Sequence, residues 1–166
     1  DFAQIHQRLS RLHHRLINMN NCPLCSDTGG LLIAEYAPYL RVIRAEDAHF
    51  PAFYRVIWNA HAAEWTDLNP AERLICMQGV ECVETVLRQR LPADLQPTKI
   101  NLASLGNVVP HVHWHVIARF DWDSHFPDPV WAAPKRPDAA EKLQALHAQL
   151  PALDAAIGLA IAQLGI

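Results

Sequence analysis

The chain has 166 residues, of which 51% are hydrophobic and 19% charged, with a formal net charge of −3. That length suffices for one domain with a core of its own. The slightly acidic balance offers no footprint for a nucleic-acid polymer, and no apolar run approaches the 18 residues that a membrane span needs.

Phe2, Ile5, Leu9, Leu12 and Leu16 recur at helical spacing, which predicts an amphipathic helix over residues 2–19. The stretch carries His6, Arg8, Arg11, His13, His14 and Arg15 and has no apolar centre, so it does not read as a signal peptide. Cys22-Pro-Leu-Cys25 follows, a spacing suited to a metal or redox pair in a reducing cytoplasm, which is the expected location. Ser26–Gly30 reads as a turn. Leu31–Tyr36 and Tyr39–Arg44 read as a hairpin about Ala37-Pro38, and Phe53–Trp58 as a third strand. Asn69 is an N-cap with Pro70 and Glu72 at the first and third helical positions, opening a long helix whose apolar stripe is Leu74, Met77, Val80, Val83 and Leu87. Cys76 and Cys82 fall in that helix as small hydrophobes. Thr98–Leu105 reads as a strand, Gly106-Asn107 as a turn, and His111–Phe120 as a further strand. Residues 121–137, with Trp122, Pro127, Pro129, Trp131 and Pro134, read as an irregular extended passage. Leu143, Leu146, Leu150 and Leu153 predict a C-terminal helix interrupted or restarted at Pro151. The apolar run Ala155–Leu164 would pack on the body or on a partner subunit. The order of elements is α+β: an antiparallel meander with a long helix packed on it, plus helical extensions at both ends, all in one domain over 1–166.

The segment His111-Val-His-Trp-His-Val116 alternates three imidazoles with three apolar side chains. On a strand, His111, His113 and His115 would share one face, while Val112, Trp114 and Val116 face a core. The Cα atoms of His111 and His115 would lie about 13 Å apart. Three imidazoles so spread reach a single metal poorly. They suit successive contacts along an elongated anion such as a phosphate ester, with imidazole as nucleophile, acid or base near neutral pH.

This motif, read as His-φ-His-φ-His-φ-φ with φ apolar over His111–Ile117, resembles that of the histidine triad (HIT) family of nucleotide hydrolases and transferases. The resemblance spans about residues 22–120. It includes the Cys-Pro-Leu-Cys start and Val56-Ile-Trp-Asn-Ala-His61, which is similar to the family's Val-Ile-Pro-Lys-Lys-His. Asp67-Leu-Asn-Pro-Ala-Glu72, Asn101 and Gly106-Asn107 also match. It implies a HIT-like sheet and hydrolysis or transfer at the α-phosphate of a dinucleoside polyphosphate, a nucleoside phosphoramidate or a related nucleotide. His113 would be the nucleophile that forms a nucleotidyl-imidazole. His115 would donate to phosphate oxygens, His111 would orient the row or ligate metal, and Asn101 and Asn107 would line the phosphate pocket. It further implies a structural zinc held by Cys22, Cys25, His61 and His111, and a homodimer paired through residues 70–105.

The chain departs from the family pattern in places. Phe53 stands where many members have a fourth histidine. Ala45, beside Glu46 and Asp47, falls nearest the usual ribose-binding acid. Val108 replaces the serine of the phosphoramidase branch and cannot protonate a leaving amine. Ala118 replaces a usual proline. These changes spare the nucleophile and leave the substrate open. A nucleotide-binding sensor or carrier with little turnover is the competing reading, and a metal-dependent hydrolase is a third that the strand geometry disfavours.

Overall fold

The computed structural model describes residues 21–165, so the helix expected over 2–19 lies outside the described residues. In chain order the elements are α1 (Pro23–Ser26), β1 (Leu31–Tyr36), β2 (Leu40–Arg44), β3 (Phe53–Trp58), α2 (Pro70–Arg90), β4 (Lys99–Ala103), β5 (His113–Arg119) and α3 (Ala140–Ala162). The five strands form one antiparallel sheet in the order β1-β2-β3-β5-β4. The α2 passage joins β3 to the far edge, and β5 returns between them.

Strand alternation divides the sheet into two faces. Val42, Val56, Val116 and Ala118 point into the main core, which also takes Val80, Val83 and Leu87 of α2 and Leu146, Leu153 and Ile157 of α3. Arg41, Ile57 and His113 align across β2, β3 and β5 and mark the opposite face. Both long helices therefore cover one face, and the other is left for a site.

Helix α2 starts as its sequence predicts. Asn69 Oδ1 accepts from the Glu72 amide at 3.0 Å, and Glu72 Oε2 accepts from the Asn69 amide at 2.7 Å, with Pro70 at the first helical position. Its buried stripe runs through Ile75, Cys76, Gly79, Val80, Val83, Val86 and Leu87, while Leu74 is 61% exposed and Met77 half-buried. The expected stripe is thus rotated. A Cβ on Gly79 would lie 2.9 Å from Leu40 and 3.3 Å from Val56, so the sheet's side chains occupy the space a side chain here would need.

Helix α3 runs unbroken through Pro151, contrary to the expected interruption. Proline removes one intrahelical hydrogen bond and crowds the preceding turn. Here Pro151 faces solvent, and buried Leu146, Leu150, Leu153, Ile157 and Ile161 hold the helix to α2 and β1 on both sides of it. Asp154 adds a polar anchor: its carboxylate accepts from Arg44 Nε and Nη2 at 3.1 Å and from the Tyr54 hydroxyl at 2.8 Å. The 23 residues of α3 are apolar enough by composition to cross a membrane, but this stripe is packed into the shared core instead.

Residues 121–137 are irregular, as expected, but they are tied down by hydrogen bonds. The Asp123 carboxylate accepts from Arg119 Nε and Nη2 at 2.8 and 3.0 Å and from the amides of Phe120, His125 and Phe126. Arg136 donates to the carbonyls of Asp121, Asp123 and Phe126. The passage crosses the helix-free side and brings Trp131 to its cavity.

Candidate active site and metal centre

The chain before β5 is set by the main chain. The Trp58 amide donates to Val112 O at 3.1 Å, and the Val112 amide donates to Ala62 O at 2.8 Å. These bonds extend the β3–β5 pairing past its regular end and bring the loop carrying His61 alongside the first triad histidine. The two rings lie 5.3 Å apart, centroid to centroid. Regular strand begins only at His113, not at His111 as the alternation predicts.

The row is consequently shared between two tasks. His111 Nε2 donates to the Trp58 carbonyl at 2.6 Å, which leaves the Nδ1 lone pair facing Cys22 Sγ at 3.4 Å and Cys25 Sγ at 3.5 Å. His61 Nδ1 is 3.3 Å from Cys25 Sγ. One ligand atom from each of Cys22, Cys25, His61 and His111 lies within 4.8 Å of the others. Two thiols and two imidazoles converging in this way form a candidate zinc site. The Trp58 carbonyl fixes the tautomer of His111, the outer support that ligating imidazoles commonly have. The α1 turn carrying the cysteines is clamped to the sheet by Arg41, which donates to Leu24 O at 2.7 Å, Asp27 O at 3.1 Å and Thr28 O at 3.2 Å. Burial and the neighbouring Cys22 push the Cys25 thiol up to about 11.

His113 and His115 remain for the other task. Their rings are 5.0 Å apart and perpendicular. His113 Nδ1 lies 2.6 Å from the His111 carbonyl, which can only accept, so Nδ1 carries the proton and Nε2 an open lone pair. Burial lowers the basicity of His113 and Arg55 lowers it further; for His115, burial, His113 and Arg55 bring it to about 4. Both rings are therefore neutral at pH 7. They line a cavity of about 460 Å³ together with Leu24, Arg55, Leu105, Asn107, Val109 and Trp131. That volume is in the range of small-ligand sites.

Asn107 is exposed on the cavity wall. Asn101 is placed differently from the expectation. It stands opposite Ile117 on β4, its Oδ1 accepts from Arg119 Nη1 at 2.8 Å, and it is not on the cavity wall. The charge of Arg119 takes up that amide oxygen. Phe53, at the position of a fourth histidine, packs edge-on against His115 with ring centroids 5.3 Å apart. Val108 is on the cavity wall and 94% exposed. Sequence reasoning missed Arg55 and Trp131. Arg55 was detectable, since it shares a strand face with Phe53 and Ile57 and lies opposite the triad strand; Trp131 lies in irregular chain with no periodicity to read.

The HIT domain model matches residues 33–122, more than half of the chain. The chain belongs to the HIT family. Among solved structures of HIT proteins, one from Bradyrhizobium japonicum is 29% identical, covers 75% of this chain and 90% of its own, and superposes with a TM-score of 0.57. One from Sinorhizobium meliloti 1021 is 25% identical with the same coverage and TM-score. A zinc-bound HIT protein from Mycobacterium smegmatis, 23% identical, shares the fold over 83% of this chain and 99% of its own, with a TM-score of 0.50. No curated protein matches the chain.

Proposed function

We propose that this HIT protein is a nucleotidyl hydrolase or transferase that attacks the α-phosphate of a nucleotide with His113. The observation that carries the reading is the His113 tautomer. With Nδ1–H held by the His111 carbonyl, Nε2 offers its lone pair to the cavity side of β5. Attack by Nε2 on phosphorus forms a P–N bond as the bond to the leaving group breaks. Water then attacks the same phosphorus, and the P–N electron pair returns to Nε2. His115 accepts from Arg55 Nε through Nδ1 at 3.4 Å, so its Nε2 carries the proton and donates to a phosphate oxygen. The Asn107 amide adds a second donor where charge builds on phosphorus-bound oxygen. A screen of dinucleoside polyphosphates and nucleoside phosphoramidates, with mass detection of a nucleotidyl adduct on quenched protein, tests the reading. Tight nucleotide binding with neither turnover nor adduct would instead make the protein a sensor or carrier.

The four-residue cluster would hold one zinc in a structural role, and the zinc-bound M. smegmatis relative shares the fold that frames it. Zinc would supply a fixed cross-link between α1, the His61 loop and the approach to β5. Because binding is linked to folding, Cys22→Ser is expected to lower thermal stability more than it lowers turnover at low temperature. Elemental analysis of protein made with added zinc should give about one equivalent per chain. A value well under half an equivalent removes the site.

A homodimer is the expected assembly. β4 is an edge strand with its outer side unpaired among the described residues, and Leu74, Leu102 and Leu105 are 61%, 43% and 53% exposed within residues 70–105. Sedimentation at micromolar concentration should show twice the mass of the chain, and Leu102→Lys should shift it towards the monomer. A wild-type monomer at that concentration counts against this interface.

A further inference from the structure

Among the described residues, Arg55 is the only formally charged one on the wall of the cavity that holds His113 and His115. It sits on β3 directly opposite His115 of β5. Its guanidinium is held by few contacts: Nε reaches His115 Nδ1 at 3.4 Å, Nη1 reaches the Gly29 carbonyl at 3.5 Å, and the plane lies 5.2 Å from the Phe53 ring centroid. Among the described residues it makes no ion pair. The acid that influences it, Asp47, uses its Oδ1 to cap the amides of His49 and Phe50. By contrast, Arg119 is saturated: buried, it donates to Asp123, Asn101 and the Asp128 carbonyl. A guanidinium left with most of its five donors unspent, in a cavity otherwise lined by apolar groups and neutral polar ones, suits an anion.

The position of the charge also distinguishes leaving groups. Arg55 stands opposite His115 and touches it, whereas the residue opposite His113 is Ile57, so the charge is set one step along the row from the nucleophile. A fixed cation there does most where negative charge grows on departure. A phosphate leaving from an anhydride gains such charge, whereas an amine leaving from a phosphoramidate needs a proton instead. Arg55 cannot give one up, and among the described residues the cavity wall holds no hydroxyl that could.

We propose that Arg55 binds the phosphate adjacent to the one attacked by His113, making the substrate class nucleotide anhydrides rather than nucleoside phosphoramidates. This rests on the nucleotidyl-hydrolase reading given above. His113 Nε2 bonds to the first phosphorus, and the bond from that phosphorus to the bridging oxygen breaks. The electron pair leaves on the second phosphate, whose added charge is met by Arg55. Water next takes the first phosphate from the imidazole, the P–N electron pair returns to Nε2, and one proton passes to solvent.

The test compares diadenosine triphosphate with adenosine 5′-phosphoramidate, and the matching guanosine pair in parallel, on wild type, Arg55→Met and Arg55→Lys. Wild type is expected to prefer the anhydride in kcat/KM. Arg55→Met should lower kcat/KM on the anhydride about ten- to hundredfold more than on the phosphoramidate, the scale of a lost charge-assisted pair. Arg55→Lys should recover part of that ratio, which a merely structural role for Arg55 would not produce. Equal losses on both substrates, or a wild-type preference for the phosphoramidate, overturn the proposal while leaving the hydrolase reading intact. Failure of wild type to turn over any of the four overturns both.

Discussion

His113→Ala should remove turnover and leave the fold in place. Within the triad it is the one imidazole whose lone-pair nitrogen is not engaged by another protein group, and its loss removes the bond-forming atom rather than a supporting contact. Deleting a nucleophile of this kind costs about three to six powers of ten in kcat. The side chain packs at a cavity wall rather than in the main core, so the melting temperature should move little. His147→Ala, on the exposed side of α3, is the matched control and should leave kcat unchanged. The second readout is covalent: the nucleotidyl adduct seen by mass spectrometry with wild type should be absent with His113→Ala. Near-normal turnover by the variant would take the nucleophile's role away from His113.

The largest effect on stability is expected at Asp123. Arg119 is 1% exposed and its charge is met by that carboxylate. Removing one partner of a buried pair strands the other, at a cost of about 3–5 kcal/mol. Asp123→Ala should therefore lower the melting temperature by about 6–20 °C for a chain of this size. The same pair sets an acid limit. Burial alone would raise the Asp123 carboxyl, but Arg119 and the amides of Phe120 and His125 outweigh it and hold the group below its ordinary value. A depressed carboxyl contributes its full stability above the unfolded value of about 3.9 and loses it as pH falls through the folded one. Urea melts between pH 3 and 7 should show wild type losing stability below about pH 4, with a shallower loss for Asp123→Asn. Identical slopes for the two proteins would show that another group sets the limit.

What the sequence made readable follows from where period and chemistry agreed. Strands β1, β2, β3 and β5 and the start of α2 were legible because alternation, turn residues and the capping box of Asn69 and Glu72 act locally. The two cysteines, His61 and the triad were legible as a set only through the resemblance, since nothing local links residue 22 to residue 111. The turn of His111 towards the cysteines was not legible, because it depends on main-chain bonds from Trp58 and Ala62 that no periodicity encodes. The rotation of the α2 stripe depends on a close approach at Gly79, a feature of packing rather than pattern. Pro151 reads as a breaker on its own; it is overridden by burial on both sides of it. The pairing of Arg119 with Asp123 has the spacing of a helical salt bridge, yet it closes an irregular turn.

The His111 carbonyl orients His113, while the His111 side chain belongs to the cysteine cluster. The two duties reside in chemically separate parts of one residue. Any amino acid at position 111 that keeps the backbone path still presents a carbonyl to Nδ1 of His113. A lineage could thus shed the cluster piece by piece, thiol or imidazole, while the nucleophile keeps its proton on the correct nitrogen. Architecture and reactivity are free to drift at different rates, although they meet in a single residue.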